Sequence, residues 1–240
     1  MNNDLATPEL TMLSPQDFEM VLNALPMGVR TTLYAFPSLF IAGGFIRAVL
    51  AGEEIKDIDI FTSDLSIVDE AVQFYVRQCQ AVGHTMTEHE TPCTITVKGE
   101  AYPAQFVNNI AYTIEQGIQQ FDFTICQAAL WCDFEGFRTC CTYEFIRDVA
   151  AKRLVYTAPD RVEAPGGSLW RAIKFTQRGY SITQVELAKL VARLVEGQRK
   201  ILHDHYKAHG LIVDAEERRA FHASDVVRSF SMRGRFGGVY

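Results

Sequence analysis

Residues 41–61, IAGGFIRAVLAGEEIKDIDIF, constrain this chain more tightly than any other stretch. An apolar run ends in Gly43-Gly44, a helical pattern follows over 45–51, and Gly52 closes it. Asp57 and Asp59 then stand i, i+2 in the alternating run DIDIF. On a β-strand this spacing puts both carboxylates on one face and Ile58 and Ile60 on the other. Two acids beside a glycine turn match what a Mg²⁺-bound triphosphate needs: oxygen ligands for a hard cation and open backbone N–H groups for phosphate.

Around that stretch the periodicity predicts a helix over 15–25 with Ser14 as N-cap, a buried strand over 39–42 and a second strand over 57–61. A longer helix is expected over 66–82, capped by Ser66 and stopped by Gly83. Segments 94–98 and 104–107 read as paired strands. The apolar run 122–131 reads as a further buried strand that Gly136 turns back into 137–142. From 165 onward the pattern is helical, over 168–178, 183–208 and 215–228, after a Pro-Gly-rich break at 164–167. The expected architecture is α+β: a mixed-sheet head over 1–160, a small helical lobe over 161–230 and a loose tail over 231–240.

Charge divides along the same line. Residues 161–240 carry 14 Lys and Arg against 8 Asp and Glu, a balance of +6, whereas 1–160 carry 9 against 21, a balance of −12. An acidic head suits a metal, and a basic C-terminal part suits either polyanion contact or an ordinary solvated helical surface. The six cysteines form no CxxC pair, which favours reduced thiols over a disulfide framework or zinc site. With neither a signal-peptide pattern nor an eighteen-residue apolar run, the expectation is a cytoplasmic protein without a membrane span.

Three segments, in order, resemble the head of bacterial-type CCA-adding enzymes and poly(A) polymerases, within the DNA polymerase beta-like nucleotidyltransferase superfamily. GGFIRAVLAG (43–52) is similar to the family's Gly-Gly-x-Val-Arg-Asp-x-Leu-Leu-Gly, with Arg47 on its arginine and Ala48 in place of its aspartate. DFTICQAAL (122–130) resembles Asp-Phe-Thr-Ile-Asn-Ala-Leu, and SLWRAIKFTQRGYSI (168–182) resembles the helix that reads Leu-Arg-Ala-Ile-Arg-Phe. The resemblance implies nucleotidyl transfer from an NTP, ATP or CTP, with release of pyrophosphate and Mg²⁺ or Mn²⁺ as cofactor. It further implies an RNA 3′ end, such as that of tRNA, as acceptor. Transfer to a protein or small molecule, and a catalytically silent nucleotide-binding protein, are the alternatives.

Asp57, Asp59 and Asp122 are the candidate catalytic and metal-binding acids, Asp122 having a competing place near the ribose. Gly43, Gly44, Arg47, Arg171 and Lys174 are candidates for substrate phosphate, and Gln105 for a position flanking the site. This chain departs from the family at Gln120-Phe121, where it has Arg-Arg, and at Ala164, Pro165 and Ser168, where Glu-Asp-x-x-Arg reads the base. Templated CCA addition is therefore not expected. His203-Asp204-His205 is a poor metal site, since i, i+2 positions on a helix face apart. Trp131, Phe134 and Phe137 read as core, and the Cys140-Cys141 pair as burying one thiol.

Overall fold

The computed structural model describes residues 9–159 and 166–208, with side chains to residue 197. The elements run β1 (Leu10–Thr11), α1 (Pro15–Ala24), α2 (Met27–Ala35), β2 (Leu39–Ala42), α3 (Gly44–Ala51), β3 (Ile58–Thr62), α4 (Val68–Ala81), β4 (Thr87–Glu90), β5 (Thr94–Lys98) and β6 (Ala104–Val107). There follow α5 (Ile114–Gln119), β7 (Ala128–Asp133), β8 (Gly136–Thr142), α6 (Tyr143–Ala150), β9 (Arg153–Leu154), α7 (Gly167–Thr176), β10 (Ser181–Ile182) and α8 (Gln184–Ala208). The chain through Val191 forms one compact unit, and a second begins at Ala192, within α8. The expected helix over 215–228 and the tail 231–240 lie outside the described residues.

Eight strands make one mixed sheet in the order β1-β8-β7-β2-β3-β6-β5-β4, and β9 pairs with β10 in a separate parallel pair. Within the large sheet only β3 and β6 run parallel; the other neighbours are antiparallel. Along β3 the side chains alternate, with Ile58, Ile60 and Thr62 buried and Asp59 and Phe61 half-buried. Ile58 and Ile60 enter the main core with Val21, Val29, Phe45, Ile46, Tyr75 and Phe145 from α1–α4 and α6. The opposite face carries a smaller cluster of Phe40, Ala42, Ile118, Ala129 and Cys140, with Phe61 and Phe121 packed against it. Asp59 therefore lies on the thinly covered face.

Ser14 caps α1 as expected, accepting the Asp17 N–H at 3.1 Å. Pro26, just past the end of α1, is the N-cap of α2. The sequence of α2, MGVRTTLYA, favours helix weakly, and tertiary packing overrides it: Gly28, Val29, Thr32 and Leu33 are buried. The Glu100 carboxylate accepts the Gly28 N–H at 2.9 Å and the Tyr75 hydroxyl at 3.0 Å. Ser66, expected to cap α4, lies instead in a 3-10 turn over Leu65–Ile67 that Asp64 caps by accepting the Ser66 N–H and hydroxyl. The N-cap of α4 itself is Ile67, with no side-chain hydrogen bond.

The strand expected over 122–131 begins only at Ala128. Residues Thr124–Cys126 form a 3-10 turn, fully buried, and a continuous apolar run cannot distinguish that from a buried strand. The turn is bolted from several sides. Thr124 donates its hydroxyl to Asp148 at 2.6 Å, Thr124 N–H donates to Val155, and Thr157 N–H donates to Asp122. Asp148, wholly buried on α6, also accepts from Arg153 and Arg147. Phe134, expected in the core, sits at the β7–β8 turn 97% exposed. Both Cys140 and Cys141 are buried, because consecutive strand residues face opposite ways and both faces of β8 are covered. All six cysteines are free thiols.

Candidate active site

The topology brings four sequence segments to one edge of the sheet. Because β2 is antiparallel to both β3 and β7, its C-terminal end lies beside their N-terminal ends: Ile41 faces Ile60, and Ala42 faces Ala129. The Gly43-Gly44 turn, Asp57, Asp59 and the buried turn before β7 all meet there. From β6, Gln105 lies in register with Asp59, and its amide donates to the Asp57 carboxylate at 3.3 Å.

Asp57 directly precedes β3, and Asp59 lies on it. The Asp59 carboxyl is pushed up to about 7, first by its burial and then by the negative charge of Asp57. Two carboxylates crowded this way hold charge that a divalent cation would neutralise. Mg²⁺ binds through one or two carboxylates plus substrate phosphates and water, so the pair fits it, and Mn²⁺ accepts the same oxygens. Among the described residues no group of three His, Cys, Asp or Glu gathers closely enough to hold a metal. Asp122 is thus not brought to the Asp57–Asp59 pair. It is buried, and its carboxylate accepts from Arg171 Nε at 2.6 Å.

The glycine turn is shaped by neighbours within the fold. Gly43 has φ +88°, and its N–H donates to the Ala128 carbonyl at 3.2 Å. A Cβ at Gly43 would stand 2.7 Å from the Phe121 ring, and one at Gly44 would point toward the Arg47 guanidinium at 3.7 Å. Gly44 opens α3, whose N-cap has no side-chain hydrogen bond; first-turn N–H groups of this kind suit an anion. Beside Asp59 the same face is aromatic, with Phe61 stacked on Phe40 at 5.6 Å and edge-on to Phe121 at 6.0 Å.

The basic candidates are drawn into the fold. Arg47 is buried, pairs with Glu53 at 3.4 Å, donates to the Cys126 sulfur at 3.4 Å and lies 4.6 Å above the Phe175 ring. It joins α3 to the 124–126 turn and α7. Arg171, on α7, holds Asp122 and also donates to the Ser168 hydroxyl at 3.3 Å. Lys174 is exposed, its ammonium 5.4 Å above the Trp170 ring. The packing of Phe121 against Gly43 and Phe61, and the exposure of Trp170, were not anticipated from the sequence. His203-Asp204-His205 falls on α8 beyond the described side chains.

Comparison with known proteins places this geometry. Over 152 residues the chain is 25% identical to Gabija anti-defense 2 of Bacillus phage SPbetaL7, spanning 63% of this chain and 36% of that protein. Over 177 residues it is 26% identical to the CCA-adding enzyme of Lactococcus lactis subsp. cremoris, spanning 67% and 41%. The chain thus matches only about two fifths of the length of these curated relatives. Among solved structures, the Thermotoga maritima CCA-adding enzyme complexed with tRNA superimposes with a TM-score of 0.52 at 17% identity, over 78% of this chain and 46% of that one. A CCA-adding enzyme complexed with CTP gives 0.54 at 16% identity, with the same coverage. The fold is the head-type fold of these CCA-adding enzymes, as the three motif segments implied. No helix among the described residues is long and apolar enough to cross a membrane. The family model for the Gabija anti-defense 2 family protein matches residues 13–152, which hold β2, α3, β3 and the acids Asp57, Asp59 and Asp122, and the chain belongs to that family.

Proposed function

We propose that this chain is a metal-dependent nucleotidyltransferase that moves an NMP from an NTP to an acceptor hydroxyl, that of an RNA 3′ end, and releases pyrophosphate. The observation that carries this reading is the Asp57–Asp59 pair at the start of β3, beside the Gly43-Gly44 turn and the N-terminus of α3. Mg²⁺ or Mn²⁺ held by the two carboxylates would supply charge neutralisation at the α-phosphate. In the transfer the acceptor oxygen bonds to the α-phosphorus, the bond to the bridging oxygen breaks, pyrophosphate leaves and the hydroxyl proton passes to water.

The chain's own residues contribute orientation. Gln105 holds the Asp57 carboxylate, and the first-turn N–H groups of α3 face the triphosphate. With Arg47 and Arg171 engaged in ion pairs, nucleotide affinity would depend strongly on the cation. ATP and CTP are the candidate donors, and the division into a head over 1–160, a lobe over 161–230 and a tail over 231–240 belongs to the same reading. The match to an anti-defense family favours one second reading, in which the acceptor is a protein of the defence machinery.

The test incubates the protein with Mg²⁺ or Mn²⁺, each α-³²P-labelled NTP and total RNA, and resolves RNA and protein products separately. Label on RNA, lost in the Asp57→Ala/Asp59→Ala variant, supports the first reading, and label on protein supports the second. Metal-dependent NTP binding with no label anywhere would leave a silent binding protein.

A further inference from the structure

We infer that the outer face of α7, built on Trp170 and Lys174, is a docking surface for single-stranded RNA that stacks one base and neutralises one phosphate. This deepens the reading of an RNA acceptor and rests on it. The inner face of α7 is firmly held: Ala172 and Phe175 are buried, Phe175 packs edge-on to Phe123 at 5.7 Å, and Arg171 grips the buried Asp122 at 2.6 Å. The outer face is the opposite case. Trp170 is 59% exposed, although the indole is among the largest apolar side chains and gains most from burial.

One turn on, Lys174 lays its ammonium 5.4 Å over the indole, and Gln177 extends the exposed stripe at i, i+4, i+7. The ammonium takes one side of the ring and leaves indole surface open to a flat partner. Aromatic surface beside a cation is the arrangement that binds single strands without reading sequence: the ring stacks a base, and the cation meets the backbone. Lys174 is an exposed cation on this face, and a cation beside an open aromatic ring suits a polyanion. A protein partner would find only Trp170 and Ile173 as exposed apolar groups on this helix, flanked by Lys174.

The test is fluorescence anisotropy of a fluorescein-labelled single-stranded 12-mer RNA with the full chain. Trp170→Ala should weaken binding roughly 5- to 150-fold, and Trp170→Phe should restore most of it. Lys174→Ala should reduce the slope of log K against log salt by about 0.7, the share of one phosphate on a single strand. Thermal melts should match the wild type, because the Trp170 ring supports no core. Equal binding by wild type and Trp170→Ala overturns the proposal, as does a wild-type chain that binds no RNA. Self-association in sedimentation that Trp170→Ala abolishes, without an effect on RNA, would assign the face to protein contact and overturn it too. The two inferences fail separately: Asp57→Ala/Asp59→Ala should keep RNA binding while losing transfer, whereas RNA labelling and RNA binding that Trp170→Ala leaves unchanged would sink only the docking face.

Discussion

Replacing Arg171 with alanine removes the counter-charge from a carboxylate that the fold has buried. The Asp122 side chain is 4% exposed and Arg171 41%, with 2.6 Å between them. Breaking a fully buried ion pair from one side costs about 3–5 kcal/mol. Here the cation side is open enough for water to enter, so the expected loss is lower, about 2–3 kcal/mol. For a domain of this size each kcal/mol moves the melting temperature by about 2–4 °C, which gives a drop of roughly 4–12 °C. Some of the loss belongs to the Ser168 contact, so the assay is a double-mutant cycle read by urea and thermal unfolding. Asp122→Asn introduced into Arg171→Ala should return about 1–2 kcal/mol, because a neutral amide no longer strands a charge in the interior. If Arg171→Ala melts with the wild type while its NTP requirement rises, Arg171 serves substrate and the ion-pair account is wrong.

Other expectations follow from neighbouring contacts. Gly43→Ala should cost about 2–4 kcal/mol from its positive φ and the collision with Phe121, and Phe121→Ala should relieve the collision but not the backbone strain; urea midpoints decide. Gly28→Ala pushes a methyl against Cys79 Sγ at 2.6 Å and Tyr75 at 2.9 Å, so a loss of about 1–3 kcal/mol is expected in the same assay. Without metal, Asp59 is held at about 7, above its unfolded value of 3.8, so the folded state binds the extra proton between those values. Its contribution to stability is full below 3.8 and is lost as pH rises through about 7. Metal-free Asp59→Asn should therefore melt above the wild type at pH 8 and converge with it in acid. Mn²⁺ should stabilise the wild type at pH 8 and progressively less below pH 7; a Mn²⁺ response equal in Asp59→Asn would remove Asp59 from the metal.

The placing of Asp57 and Asp59 beside the Gly43-Gly44 turn was legible because short-range rules suffice for it. Gly43, Gly44 and Gly52 punctuate a helix between two strands, and an i, i+2 pair on a strand shares a face whatever else the fold does. The motif resemblance pointed to the nucleotidyltransferase head for the same reason: its segments are local and ordered. What escaped was set by distant partners. Helix α2 is held by burial of Val29 and Leu33 and by Glu100, seventy-two residues away, which accepts the Gly28 N–H. The turn over Thr124–Cys126 is held by Asp148, Val155 and Thr157, and without them DFTIC reads as a strand. Arg47 and Arg171 looked available for phosphate because their carboxylate partners, Glu53 and Asp122, can be identified only once the chain is folded.

The central claim is that Asp57 and Asp59 support metal-dependent transfer, and the most direct test is pyrophosphate release from NTP with Mn²⁺ and RNA by wild type, Asp57→Asn and Asp59→Asn. The account predicts release by the wild type and a loss of roughly 10²–10⁴-fold in each variant, with folding intact by circular dichroism. Wild-type rates in both variants would contradict it.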